Sequence, residues 1–170
     1  MVAVETLAER RGLDTDSFGI TIVPMGGAQA IGRFLDLFVP QGLQLAGLCD
    51  AGEERDFARE LERAGLGENL TREGMEELGF FVCVEDLEDE LIRALGAAGV
   101  EEVVEAQGDL GPFRTLQNQP EWRERPLEDQ LRRFMGSGGS RKIRYARLLV
   151  EALDLDRIPR PLDRVLSHVT

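Results

Sequence analysis

The chain has 170 residues, 42% of them hydrophobic, which suffices for the core of one domain. It carries a net charge of −12, a single histidine, His168, and a single lysine, Lys142, and no apolar run approaches the roughly 18 residues of a membrane span. These features exclude a P-loop nucleotide site, a histidine-based catalytic triad and a multi-histidine zinc site, and we expect a cytoplasmic protein without a membrane partner.

The first part of the chain alternates helical and strand-like patterns. In chain order, we predict a helix over 2–10, a strand over 18–24, a turn over 25–27, a helix over 28–38, a strand over 43–49, a helix over 53–64, a strand over 80–84 and a helix over 86–95. Alternation of this kind is typical of βαβ crossovers, so it predicts an α/β fold with a mainly parallel sheet flanked by helices.

The last third of the chain is predicted to be helical. We predict helices over 100–106, 126–135, 141–153 and 161–169, a surface loop over 108–125 and a flexible linker over 136–140. We therefore expect a single domain over residues 1–170, made of an α/β core over 1–98 and a helical extension over 99–170. The two cysteines, Cys49 and Cys83, each fall in an apolar strand and are expected to be reduced core residues.

Charge is unevenly distributed along the chain. Residues 1–49 carry −2, residues 50–105 carry −13 and residues 106–170 carry +3. A basic stretch without any acid lies between Asp129 and Glu151, and it contains Arg132, Arg133, Arg141, Lys142, Arg144 and Arg147. This stretch is a candidate contact for a nucleic-acid phosphate backbone, and the alternative is a solvated helix face.

Acidic residues follow two of the predicted strands. Asp50, Glu53 and Glu54 come after the strand over 43–49, and the run Glu85–Glu90 comes after the strand over 80–84. Carboxylates at the ends of neighbouring strands suit Mg²⁺ or Mn²⁺, whereas the alternative is that the same acids cap helix N-termini. A further turn, Gly26–Gly27, offers backbone amides to an anion but lacks the spacing of a dinucleotide site, and a plain tight turn is the alternative.

The order of several motifs resembles the Toprim domain of the OLD (overcoming lysogenization defect) family of ATP-dependent nucleases. The motifs are AVETLA at 3–8, PMGG at 24–27, FLDLF at 34–38, LAGLCD at 45–50, DLEDEL at 86–91 and GSRKIRYARLL at 139–149. The resemblance implies a Toprim-like fold and Mg²⁺- or Mn²⁺-dependent cleavage of DNA phosphodiesters by an endonuclease domain that works with an ATPase domain.

The resemblance also implies roles for individual residues. Asp50 matches the first acid of a metal-binding DxD motif, Glu88 matches a further catalytic and metal-binding glutamate, and Lys142 matches the catalytic lysine. Gly52 stands at the second acid of the motif, so Glu53 or Glu54 would replace that ligand. Arg132, Arg133, Arg141 and Arg144 are the expected nucleic-acid contacts.

Two features depart from the family pattern. The sequence begins at the helix that should follow the first strand, so that strand and its glutamate are missing, and the ATPase domain is missing as well. The leading expectation is a nuclease domain. The alternatives are a catalytically degenerate Toprim module that binds a protein partner, an ATPase in trans or a second protomer, and, more remotely, a receiver-like fold with Asp50 as phosphoacceptor.

Overall fold

The computed structural model describes all residues from Met1 to Thr170. The chain is a mixed α/β protein that is 61% helical and contains one two-stranded parallel sheet. The expected combination of helices with a parallel sheet is confirmed at this coarse level. None of the helices has the length and apolar character needed to cross a membrane.

Ten helices and two strands follow one another along the chain. They are α1 (Val2–Arg10), α2 (Ile31–Phe38), β1 (Gly47–Cys49), α3 (Glu54–Arg63), α4 (Arg72–Glu77), β2 (Phe80–Val82), α5 (Leu87–Leu95), α6 (Ala97–Ala106), α7 (Leu110–Gln117), α8 (Leu127–Met135), α9 (Gly139–Ala152) and α10 (Arg160–Ser167). Short 3₁₀ turns at Ala28–Ala30, Val39–Gln41, Ala51–Glu53 and Leu155–Arg157 complete the regular structure.

These elements group into two compact units. The first unit contains Met1, Gly12–Asp86 and Arg160–Thr170, and the second unit contains Val2–Arg11 and Leu87–Pro159. The sequence had suggested one domain with an internal division at residue 98. The observed division falls at Asp86 because α5 packs on the later helices α8 and α9.

The sheet of the first unit is short and tightly packed. Gly47, Leu48 and Cys49 of β1 pair with Phe80, Phe81 and Val82 of β2, in that order. The Gly47 N–H donates to the Gly79 carbonyl at 3.0 Å, and the Cys83 N–H donates to the Cys49 carbonyl at 2.9 Å. The predicted strands over 43–49 and 80–84 are therefore real but shorter, since the pairing spans three residues in each.

The core of the first unit lies on one side of this sheet. Phe57 of α3 meets Phe80 of β2 edge to face, with 6.4 Å between ring centroids. Both side chains are almost completely buried, so each contributes about 1.5–3 kcal/mol of hydrophobic stabilisation. The same cluster contains Ala28, Ile31, Leu35, Cys49, Leu61, Met75 and Val82.

The strand predicted over residues 18–24 does not form. Residues 20–25 adopt neither helix nor turn, and they pair with no strand. The β-branched residues in this segment favour an extended backbone. A strand also needs a hydrogen-bonding neighbour, which a local sequence pattern cannot supply.

The second unit is helical, and α1 packs along α9 within it. The Arg10 guanidinium donates to the carbonyls of Val150 at 2.7 Å and Leu153 at 2.5 Å, and thus satisfies carbonyl groups at the C-terminal end of α9. Aromatic rings of α7, α8 and α9 form the centre of the unit. The ring centroids of Phe113 and Phe134 are 5.3 Å apart, and those of Phe134 and Tyr145 are 6.2 Å apart.

The predicted loop over residues 108–125 is wrong in its first half, which forms α7. Pro112 had suggested a loop, yet it occupies the first turn of this helix, where no N–H is needed for an intrahelical bond. The predicted linker over 136–140 is shorter than expected, because α9 already begins at Gly139. Gly138 precedes it with a φ of 95°, a conformation that favours glycine.

Candidate functional site

The second unit brings Glu88 and Lys142 together. The Lys142 ammonium lies 3.1 Å from Oε1 of Glu88, although the two residues are distant in the sequence. The Glu88 side chain is 10% exposed and the Lys142 side chain is 54% exposed, so the pair has one buried and one solvent-facing member. A phosphate oxygen arriving from solvent would therefore meet Lys142 before it met Glu88.

Both members of the pair lie near the N-terminal end of a helix, where the helix dipole affects the acid and the base in opposite ways. Glu88 lies in the first turn of α5, where the helix dipole favours negative charge. Lys142 lies near the N-terminal end of α9, where the same effect disfavours a cation. Because α5 packs against α9, the carboxylate of one helix offsets the unfavourable placement of the ammonium on the other.

In the first unit, Asp50 and Glu53 form a reciprocal cap around the short turn that follows β1. Glu53 Oε2 accepts the Asp50 N–H at 3.3 Å, and the Asp50 carboxylate accepts the Glu53 N–H. This arrangement is a capping box, which satisfies backbone donors at the start of a helical segment. The cap is the alternative that the sequence offered for these acids, and the geometry is sufficient to explain both carboxylates.

The acids next to this cap shape the electrostatics of the strand end. Glu54 forms a two-pronged ion pair with Arg72, at 3.1 Å and 2.5 Å, and this bonding holds the pKa of Glu54 below its usual value. Burial, followed by the charges of Glu53 and Asp50, raises the pKa of Cys49 to about 12. Cys49 is therefore a neutral thiol, which is unsuited to act as a nucleophile near neutral pH.

Two of the four arginines proposed as nucleic-acid contacts lie on α9 and are engaged within the second unit. Arg141 donates to the Ser137 hydroxyl at 2.6 Å and lies 4.4 Å from the centroid of the Phe134 ring. Arg144 forms an ion pair with Asp109. Phosphate binding by either residue would have to compete with these contacts.

The other two proposed contacts lie on α8. Arg133 is exposed and stacks over Trp122, with 5.9 Å between the guanidinium carbon and the ring centroid. Arg132 is half-buried one position earlier on the same helix. The basic stretch is therefore divided between two helices of one unit.

The placement of the acids can be compared with the needs of a divalent ion. Magnesium and manganese require several oxygen ligands around one point. Neither unit contains a group of three His, Cys, Asp or Glu side chains that could hold a metal ion. Asp50 and Glu88 belong to different units. The carboxylates have the right chemistry for these ions, but as arranged within each unit they do not fit a metal site.

The turn at Gly26–Gly27 lines an open cleft of about 650 Å³ in the first unit. Both glycines have positive φ, 76° and 130°, which explains their presence in a tight turn before the 3₁₀ segment Ala28–Ala30. Arg33, Glu53 and Asp56 also line the cleft. Its mixed charges do not single out an anion, so the plain tight turn is sufficient to explain the motif.

Sequence reasoning missed Asp109, an acid of the second unit with two side-chain partners. Its carboxylate accepts the Tyr145 hydroxyl at 2.9 Å and pairs with the Arg144 guanidinium. A usable signal was present, because an Asp after Gly108 at the start of an apolar segment is typical of a helix N-terminus. The proline at position 112 had directed the prediction towards a loop.

Comparison of the chain with models of protein families, with characterised proteins and with solved structures finds no match.

Proposed function

We propose that the chain is a Toprim-like module of the OLD nuclease type that acts on DNA phosphodiesters. The observation that carries the proposal is the 3.1 Å contact between Glu88 and Lys142. These are the glutamate and the lysine to which the resemblance assigns catalytic roles, and two helices bring them side by side. The DLEDEL and GSRKIRYARLL motifs thus meet at the residues expected to do the chemistry.

The pair has properties suited to phosphate chemistry. Lys142 presents an exposed cation next to the N-terminal end of α9, where the helix dipole adds to the attraction for an anion. An approaching phosphate would share Lys142 with the buried Glu88, and the ammonium would neutralise charge that develops on the phosphate oxygens. Glu88 holds the ammonium in place until the phosphate arrives.

The resemblance implies magnesium or manganese as cofactor, but the carboxylates as arranged within each unit do not fit such an ion, so no step is assigned to a metal. The roles proposed for Glu88 and Lys142 are positioning and charge neutralisation, and both follow from the contact itself. Asp50 and Glu53 would have to leave their cap before they could bind an ion. The proposal is therefore tested with and without added metal.

A plasmid-nicking assay tests the proposal. We expect the chain to nick supercoiled DNA in manganese, and we expect Lys142→Ala and Glu88→Gln each to reduce the rate at least about 100-fold. Arg114→Gln is the control, because Arg114 lies in the same unit but outside the basic stretch and forms an ion pair with Glu101 at 3.0 Å. Equal nicking by all four proteins, or no nicking by the wild type in either metal, would contradict the nuclease proposal.

A second candidate function is a catalytically degenerate module that binds a protein partner or a second protomer. Its support is the geometry of Asp50 and Glu53, whose carboxylates are engaged in a structural cap rather than grouped for metal binding. This candidate predicts that Asp50→Asn has no effect on the manganese dependence of thermal stability once ionic strength is matched. It also predicts a stable complex or dimer by light scattering.

A further inference from the structure

The outer edge of β1 offers backbone groups that have no partner within the protein. Gly47 and Cys49 direct their hydrogen bonds towards β2, so the alternate residues Ala46 and Leu48 direct theirs to the opposite side. No backbone hydrogen bond joins Ala46 or Leu48 to another segment. The sheet has only two strands, and this edge ends it.

This edge is short, with three residues in β1, but it lacks the side chains that usually protect a free strand from pairing. Proteins commonly place charged residues, proline or a bulge on an exposed edge. The segment Leu43–Cys49 contains neither a charge nor a proline, and Leu43 is 51% exposed. An extended peptide could therefore approach β1 without meeting a blocking side chain of that segment.

The same unit contains a second strand-like segment without pairing. Ile20 and Ile22 are half-buried while Thr21 and Val23 are exposed, which is the alternation of a strand with one covered face. No backbone hydrogen bond joins residues 21–26 to any other segment. The first unit thus contains a segment with a strand-like pattern that is not part of its two-stranded sheet.

Charge around these segments favours a basic partner. Between Gly12 and Glu54 the only basic residue is Arg33. The acids in the same range are Asp14, Asp16, Asp36, Asp50, Glu53 and Glu54. Asp36 and Glu54 are paired with arginines of later helices, whereas the charges of Glu53 and Asp50 act on Cys49 at the end of β1. A second copy of the chain would bring the same negative charge to the edge, whereas a basic segment would be attracted to it.

We propose that the outer edge of β1, at Ala46–Leu48, binds an extended segment of a basic protein partner by β-strand addition. Main-chain hydrogen bonds to Leu48 would supply affinity, and the flanking acids would select a strand with basic ends. The proposal goes beyond the nuclease function, because it involves neither Glu88 nor Lys142. The two can therefore fail independently.

Synthetic peptides provide the first test. The probe is a peptide of alternating valine and threonine with two arginines at each end, and the readout is amide hydrogen exchange at Leu48, followed by NMR. We expect the peptide to slow this exchange at least about tenfold, because a new hydrogen bond must open before exchange occurs. A peptide with aspartates in place of the arginines should leave the exchange unchanged.

A peptide of the same charge with an N-methylated centre separates strand pairing from simple charge attraction. Its N-methyl groups prevent close approach of the two backbones and remove the donors to the Leu48 carbonyl, so we expect it not to protect the Leu48 N–H. Leu43→Arg should weaken binding of the basic peptide about tenfold, since it places a like charge near the edge, whereas Leu37→Arg, at an equally exposed leucine of α2, should not.

Three results would overturn the proposal. The first is equal protection of Leu48 by the acidic peptide or by the N-methylated peptide. The second is that the basic peptide protects the Leu48 amide neither in the wild type nor in the control variant Leu37→Arg. The third is a dimer in light scattering whose Leu48 amide is already protected without peptide, because the edge would then belong to a second copy of the chain.

Discussion

The hydroxyl of Tyr145 donates to the carboxylate of Asp109 at 2.9 Å and ties α9 to the residue that precedes α7. Tyr145 is 1% exposed, and the same carboxylate pairs with Arg144. A buried hydroxyl that keeps its acceptor avoids a loss of about 1–3 kcal/mol, so this contact stabilises the second unit. Burial, and then the hydrogen bond and charge of Asp109, raise the pKa of Tyr145 to about 12.

The raised pKa predicts a loss of stability at alkaline pH. Folding favours the protonated phenol, so the stabilisation is fully present below the ordinary tyrosine pKa of 10.0 and is lost as pH rises towards about 12. Tyr145 is the only tyrosine, so the ultraviolet absorbance of tyrosinate reports its titration directly. We expect the absorbance to rise only in the upper part of this range, or together with unfolding.

The variant Asp109→Asn provides the control for this titration. Loss of the carboxylate charge should move the tyrosinate transition to lower pH, because the charge of Asp109 is one cause of the raised pKa. Tyr145→Phe should reduce the alkaline loss of stability in this range, and the part that remains is expected from Cys49, whose pKa burial also raises to about 12. A tyrosinate transition at the ordinary pKa in the folded protein would contradict the burial of Tyr145.

The fold could be predicted from the sequence where local pattern and tertiary environment agree. The predicted helix over 2–10 is α1, and both observed strands lie inside predicted ones. The segment 18–24 was predicted wrongly because strand formation depends on a neighbour that the segment lacks. The helix α4 was missed although Thr71 caps it by accepting the Gly74 N–H at 3.2 Å, a signal that was readable in the sequence.

For the candidate site, too, the sequence could predict the local features but not the contacts made by packing. The sequence alone offered both a metal and a cap at Asp50 and Glu53, and the reciprocal hydrogen bonds correspond to the cap. The contact of Glu88 with Lys142 depends on the packing of α5 against α9, which no local pattern encodes. Glu88 and Lys142 were named together only from the resemblance, since composition and periodicity do not pair residues that are distant in the sequence.

Gly79 is predicted to be the least replaceable glycine beside the sheet. Its φ is 90°, and a Cβ there would lie 2.5 Å from Cδ2 of His168 and 2.7 Å from the Leu45 carbonyl oxygen. Gly79→Ala should therefore lower the free energy of unfolding by about 1–3 kcal/mol. Urea denaturation measures the change, and Gly52→Ala is the control, since its Cβ would enter open space. Equal effects of the two substitutions would contradict the prediction.

The ion pair of Arg160 with Glu76 is predicted to make stability depend on acid pH. The two guanidinium bonds, at 2.7 Å and 2.5 Å, are the main cause that holds the pKa of Glu76 below its ordinary value of 4.5. Stabilisation by a lowered carboxyl pKa is present above the ordinary value and is lost as pH falls through the lowered one. The difference in stability between wild type and Arg160→Gln should therefore shrink in that range.

Urea unfolding at a series of pH values measures this difference. Arg157→Gln serves as the control, because Arg157 is an exposed arginine close by in sequence. The control should show a difference from wild type that does not change with pH. A constant difference for Arg160→Gln as well would mean that the ion pair does not contribute to folding.

Removal of Lys142 is predicted to destabilise the second unit, because the Glu88 carboxylate loses its partner. Lys142→Met leaves the Glu88 carboxylate buried without its ammonium partner, at a cost of about 1–3 kcal/mol. Glu88→Gln keeps the shape of the side chain and removes its charge, so it should cost less stability.

The double variant should recover most of the stability lost in Lys142→Met, because no charge is then left buried. Urea unfolding of the wild type, the two single variants and the double variant gives the coupling energy. Additive effects would mean that the contact is not maintained in solution, and the main support for the nuclease proposal would be lost.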